Sequence, residues 1–125
     1  FKHPAYFIIQ KEVAEKYTYK PPYSKLSLTT ALYANCKKIL DISRQSFRPQ
    51  PNVTSSLISF FPARKYKGKE RDLERIIKLS FRNPRKTLLN NLKDTKYHEG
   101  AKIFASMRPA QLSLEQYNRI LSYSS

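Results

Sequence analysis

The sequence predicts an α+β chain in two parts, a mixed strand-and-helix part over residues 1–66 and a small all-α part over residues 67–125. Three observations carry this. Before residue 66 the apolar residues fall in short aromatic and β-branched runs, as strands require. Beyond it they recur at helical spacing with charges between them. Hydrophobic residues make up 40% of the 125 positions, enough for a core, so the chain is not globally disordered.

Taken in order, AYFIIQ (5–10) reads as a short buried strand and KEVAEKY behind it as one or two helical turns. KPPYSK is a loop, because Lys20 and Pro21 each precede a proline and are pushed out of helical geometry. From Leu26, LSLTTALYANC carries a helix with Leu28, Leu32 and Tyr33 on one side. KKILDIS is a strand, and so is SSLISFFPA after a proline-rich arm. In GKERDLERIIKLSF, Leu73, Ile76, Ile77 and Phe81 share a helix face. The next helix is expected in NPRKTLLNNLK, with Asn83 as N-cap and Pro84 in the first helical position. LSLEQY opens a last helix, where Ser113 caps, Gln116 reaches back and Leu112 staples onto Tyr117.

Charge narrows the function. Lys and Arg number 24 against 9 Asp and Glu, a net charge of +15. The first part holds 11 basic and 3 acidic residues and the second 13 and 6, so the charge is not a basic tail and both parts should face one partner. Such an excess repels itself unless nucleic acid or an anionic membrane surface is near. No apolar run is long enough to cross a bilayer. The opening FKHPAYFIIQKE lacks the small-residue cleavage site of a signal peptide, and a start at Phe1 reads as an internal one. A single cysteine, Cys36, excludes an internal disulfide or a Cys-rich zinc site and fits a reducing cytosol. Gly68 and Gly100 are the only glycines, too few for a phosphate-cradling loop. His3 and His98 lack a partner pattern, Glu12 and Glu15 fall on a solvated helical turn, and no nucleophile–base set or metal cluster stands out.

Two stretches invite a binding role. In SRQSFRPQPNVTSS (43–56), Pro49 and Pro51 fix their own φ and extend the residues before them. Phe47 stands at the root of this stiff arm between Arg44 and Arg48, suited to stacking on a base while the arginines meet phosphates. The residues alone favour the plainer reading, in which Phe47 is a core residue and the prolines end a strand. In FRNPRKTLLNN, Arg82, Arg85 and Lys86 crowd a helix start that is already partly positive. That placement fits either an anion bound on free amides or a solvated basic turn. KPPY (20–23) ends like the Asn-Pro-Pro-Tyr motif of amino-group methyltransferases, but Lys20 offers only donors where that motif needs an acceptor, so it is an ordinary loop.

YFIIQKEVAEKY, YSKLSL, SFRPQPNVTSSLISFFP, FRNPRKTLLNNL and MRPAQLSLEQY, in this order, resemble the second half of the ribosomal RNA adenine dimethyltransferases, the KsgA and erythromycin-resistance methylase family. The resemblance covers nearly the whole chain. It implies the C-terminal portion of a Rossmann-like S-adenosylmethionine methyltransferase sheet (1–66) followed by a helical RNA-binding domain (67–125). The family methylates the N6 amine of an adenine flipped out of its RNA, and its phenylalanine at the head of the proline segment, here Phe47, lies against that base. Arg44, Arg48, Arg82, Arg85 and Lys86 would meet phosphates. The family's Gly-rich cofactor motif, acidic ribose-binding residue and Asn-[Ile/Leu]-Pro-Tyr motif all precede the point where this chain starts. S-adenosylmethionine would therefore be held by the absent N-terminal part, and this piece alone would be inactive and its partial sheet marginal. The implied partner is ribosomal RNA within a small-subunit precursor, met by a cytoplasmic monomer without membrane contact. Two other readings stay open: a non-catalytic basic RNA-binding protein of the ribosome or its assembly, and a mitochondrial transcription factor related to this family.

Overall fold

In the computed structural model, which describes residues 3–124, the strand-like runs become β1 (Ala5–Gln10), β2 (Ala34–Ile42) and β3 (Ser55–Pro62). They form one antiparallel sheet in the order β1-β3-β2. Alternation along each strand gives the sheet two unlike faces. Phe7, Ile58, Phe60 and Cys36 share one of them, and α1 (Lys11–Tyr17) covers it by burying Ala14 against Cys36 and Ile58. The Phe60 ring meets both Phe7 and Tyr17 edge-on, at 5.6 and 5.5 Å between centroids.

The other face is open. Tyr6, Ile8, Leu40 and Phe61 lie on it, 58, 56, 48 and 41% exposed. Leu40 is there because Ile39 is an extra residue in β2, shifting the register between Lys38 and Leu40. Strict alternation would have put Leu40 on the covered side. The same shift sets Asp41 opposite Ser56, whose hydroxyl donates to it at 2.7 Å.

The helix expected through Cys36 is shorter. α2 (Lys25–Ala31) starts on a capping box in which Ser24 and Ser27 exchange side-chain-to-amide bonds of 2.9 and 3.0 Å. It stops at Ala31, and Ala34, Asn35 and Cys36 instead pair with Pro62, Phe61 and Phe60 in the sheet. Sheet pairing has overridden local helical preference. Leu28 and Leu32 are buried as expected, whereas Tyr33 lies 38% exposed at the surface.

Beyond Tyr66 the chain is helical: α3 (Glu70–Ser80), α4 (Leu88–Leu92), α5 (His98–Ala101) and α6 (Leu114–Ser124). The expected α6 capping box is present, Ser113 N–H donating to Gln116 Oε1 at 2.8 Å and Gln116 N–H to Ser113 Oγ at 3.4 Å. Leu28 of α2 and Leu32 at its C-cap belong to one core with Leu73, Ile77, Leu92, Tyr117 and Ile120, all fully buried. The large core thus crosses the boundary at residue 66. The KPPY loop closes over it, with Tyr23 N–H donating to the Ala110 carbonyl at 2.8 Å and Tyr19 Oη accepting from Leu114 N–H at 2.9 Å. None of the described helices is long and apolar enough to cross a membrane.

Candidate nucleic-acid interface

The arm that carries Phe47 is the connection from β2 to β3. Ser43 starts it by capping a single 3-10 turn, Arg44–Ser46, its Oγ accepting from Gln45 N–H at 3.2 Å. The turn closes with Ser46 N–H on the Ser43 carbonyl (2.9 Å) and Phe47 N–H on the Arg44 carbonyl (3.3 Å). Phe47 itself is extended, φ −107° and ψ 149°. On the return side the Arg44 guanidinium donates to the Asn52 carbonyl at 3.3 Å, and Lys11 N–H holds the Thr54 carbonyl at 2.9 Å. The arm is therefore tied across its own width and to the start of α1.

Phe47 is half-buried and belongs to neither hydrophobic core, while Arg44 and Arg48 on either side are exposed. Beneath the arm, Gln10, Glu12, Glu15, Arg44, Asn52 and Thr54 help line a groove of about 380 Å³. The Phe47 ring stands outside this lining. Sequence reasoning assigned the two glutamates only to a solvated turn and had no signal that they border a groove.

The second stretch differs from expectation. Asn83 and Pro84 do not begin a helix. Lys86 N–H donates to the Asn83 carbonyl at 3.0 Å and Arg85 N–H to the Asn83 side chain at 3.3 Å, making a turn. Thr87 caps α4 in Asn83's place, its Oγ1 accepting from Asn90 N–H at 3.3 Å. The free amides expected beside Arg82, Arg85 and Lys86 are spoken for, since Leu88 N–H donates to the Met107 carbonyl (2.6 Å) and Leu89 N–H to the Ala105 carbonyl (3.4 Å). The reason is the buried Asn91. Its amide nitrogen donates to the carbonyls of Asn83 (2.9 Å) and Thr87 (3.1 Å), and its oxygen accepts from Asn83 N–H (3.0 Å), holding the segment as a turn.

Arg82 is committed to the same framework. It donates to Asp94 Oδ1 at 2.8 Å, to the Asn91 carbonyl, and to the Leu79 carbonyl at 3.3 Å. Arg82 foremost holds the Asp94 carboxyl below the ordinary aspartate range. Arg85 and Lys86 are exposed at the tip of the turn. Among the described residues no cluster of His, Cys, Asp and Glu could hold a metal ion.

All 125 residues match the family model described as "Ribosomal RNA adenine dimethylase". The ribosomal RNA small subunit methyltransferase A of Mycoplasma mobile is 35% identical over 134 residues, covering 95% of this chain and 51% of that protein. The chain spans about half the length of the curated relatives it matches. In fold it is similar to a dimethyladenosine transferase from Plasmodium falciparum, with a TM-score of 0.74, 19% identity and coverage of 97% of this chain and 56% of that one. The 23S rRNA methyltransferase ErmE is equally similar, with a TM-score of 0.74, 20% identity and coverage of 96 and 54%. With its sequence matched from end to end, the chain belongs to the ribosomal RNA adenine dimethylase family.

Proposed function

We propose that this chain is the C-terminal half of an S-adenosylmethionine-dependent rRNA adenine N6-dimethyltransferase, supplying the stacking wall for the target adenine and the grip on its RNA. One observation carries the reading. Phe47 is a half-buried ring outside both cores, on an arm fastened at each root, with exposed guanidinium groups before and after it. Extruding a base costs a few kcal/mol, and a ring already held in place offsets part of that cost. Residues 1–66 would form the target-base side, with Arg44 and Arg48 on the flanking phosphates. Residues 67–125 would grip the RNA through Arg85 and Lys86, with Arg82 as the mount of their turn. The substrate would be small-subunit rRNA in a precursor particle, met in the cytoplasm by a monomer.

The residues present do not fit S-adenosylmethionine. Gly68 serves a turn at φ +86°, and a Cβ on Gly100 would meet the Ile120 carbonyl oxygen at 2.6 Å, so both glycines are used by the fold. The cofactor is therefore assigned to residues outside this chain, and no step of methyl transfer is assigned here. The exposed face of Tyr6, Ile8, Leu40 and Phe61 supports this division, because the remaining half of a protein as long as the relatives would cover it.

In the complete enzyme, Phe47→Ala should lower methyl transfer about 10- to 100-fold, the equivalent of one stacked base. RNA affinity, measured alongside by fluorescence anisotropy, should change far less. Equal losses in both would reduce Phe47 to packing, and tighter binding to duplex DNA than to rRNA would favour the transcription-factor reading.

A further inference from the structure

α2 and α3 enclose a groove of about 510 Å³ that neither binding stretch includes. Lys25 contributes from the first turn of α2, and Arg71, Arg75 and Lys78 from the outer face of α3. All four are exposed. Among the described residues, none of the four side chains makes an ion pair or hydrogen bond, whereas Lys11, Lys38, Arg64, Lys65, Arg82 and Lys102 all pair with carboxylates. Arg71 and Arg75 stand four residues apart and Lys78 three further on, so like charges face one another along the helix. Glu74 stands on the same side, three residues after Arg71 and four before Lys78, so the lining carries four cations against one carboxylate.

Two of the three carboxylates of α3 are hydrogen-bonded elsewhere, and the third, Asp72, is exposed and lies outside the groove lining. Glu70 accepts from Arg64 Nε and Gly68 N–H, each at 2.9 Å. Glu74, which lines the groove, receives the Tyr33 hydroxyl. The walls are preformed, because Leu28 and Leu32 beneath α2 pack in one core with Leu73, Ile76 and Ile77 beneath α3. From Arg71 to Lys78 the helix rises about 10 Å, comparable to the span of a few consecutive phosphates on one strand. The lining contains no aromatic ring; Leu79 and Thr29 fill the spaces between the cations. A groove with charge and no stacking surface suits a sugar–phosphate backbone and not splayed bases.

We infer that Lys25, Arg71, Arg75 and Lys78 form a sequence-independent seat for the phosphate backbone of an RNA stem, distinct from the Phe47 arm and from the Arg85–Lys86 turn. This rests on the proposed function in that the polyanion is taken to be RNA.

The test is binding of a fluorescein-labelled, fully paired RNA hairpin of about 20 base pairs, a probe long enough to cross successive grooves that offers no unpaired adenine to Phe47. Affinity of the chain is read by anisotropy from 50 to 200 mM KCl. The variant is Lys25→Gln/Arg71→Gln/Arg75→Gln/Lys78→Gln, accepted once its far-UV spectrum matches wild type. If it fails to fold, Arg75→Glu/Lys78→Glu replaces it, since both side chains are solvent-facing. The full variant should flatten the log–log salt slope by about three to four, so that wild type loses about 100-fold more affinity over this range; the double variant should flatten it by about half as much.

An unchanged slope, while Arg85→Gln/Lys86→Gln still weakens binding, would overturn the groove and leave the RNA reading standing. A flat slope for wild type itself would overturn the RNA reading with it. Loss of binding to phosphatidylserine vesicles with hairpin affinity intact would assign the groove to a membrane surface and also overturn the proposal.

Discussion

Single side chains here do structural and electrostatic work that composition does not announce. Tyr33 is the clearest case. Its pKa is pushed up to about 12, chiefly because its hydroxyl donates to the Glu74 carboxylate. Deprotonation would place two negative charges together, so the bond is worth most while the phenol keeps its proton. The folded value lies above the ordinary 10.0 that an unfolded tyrosine retains. The contribution is therefore complete below pH 10 and vanishes as pH climbs toward 12. Urea denaturation of wild type and Tyr33→Phe should give a stability gap that is constant below pH 10 and closes by about pH 12. Because Tyr33 is 38% exposed, solvent screening keeps that gap small. A gap that widened with pH would show that Glu74 is not the partner that matters.

Among the elements, the segment between α3 and α4 separates a side chain committed to the fold, Arg82, from two exposed at its tip, Arg85 and Lys86. Arg82 joins two carbonyls and a carboxylate, so Arg82→Ala should destabilise the fold by about 1–3 kcal/mol, the cost of losing hydrogen bonds from a charged donor. Arg85→Ala/Lys86→Ala should leave the thermal transition within about 1–2 °C, as expected of surface changes. It should also flatten the RNA salt slope by about one to two. Calorimetry and anisotropy on the two variants read these separately, and the opposite assignment would mean that Arg82, not its neighbours, faces RNA.

How far these elements were legible differs case by case. SSLISFFPA and the α3 and α6 faces carry their periodicity in the chain and fold as that periodicity dictates, whereas AYFIIQ forms the expected strand but not a buried one, Tyr6, Phe7 and Ile8 each being more than half exposed. The end of α2 and the start of α4 were not legible, because each is decided by a distant partner, β3 in one case and Asn91 in the other. The Arg71–Arg75–Lys78 stripe was readable as spacing, but its junction with Lys25 exists only once Leu28 and Leu32 have packed onto α3.

For the molecule as a whole, the decisive fact is that the large core takes side chains from both sides of residue 66. Residues 67–125 expressed alone would lack Leu28 and Leu32, two fully buried leucines whose truncation in place costs about 2–5 kcal/mol each. That sum is comparable to the whole stability of a small domain. The isolated segment should show a weak far-UV helical signal and no cooperative melt, and adding residues 3–66 in trans should restore both. A cooperative melt from residues 67–125 alone would establish an independent helical domain.

Shared leucines leave little room for a hinge between the arm that carries Phe47 and the helices that carry the cations. Under the proposed function, a body of that kind would work as a caliper. An adenine whose flanking stem held it a few ångströms too near or too far would then be refused by stiffness alone, without any contact having to read its sequence.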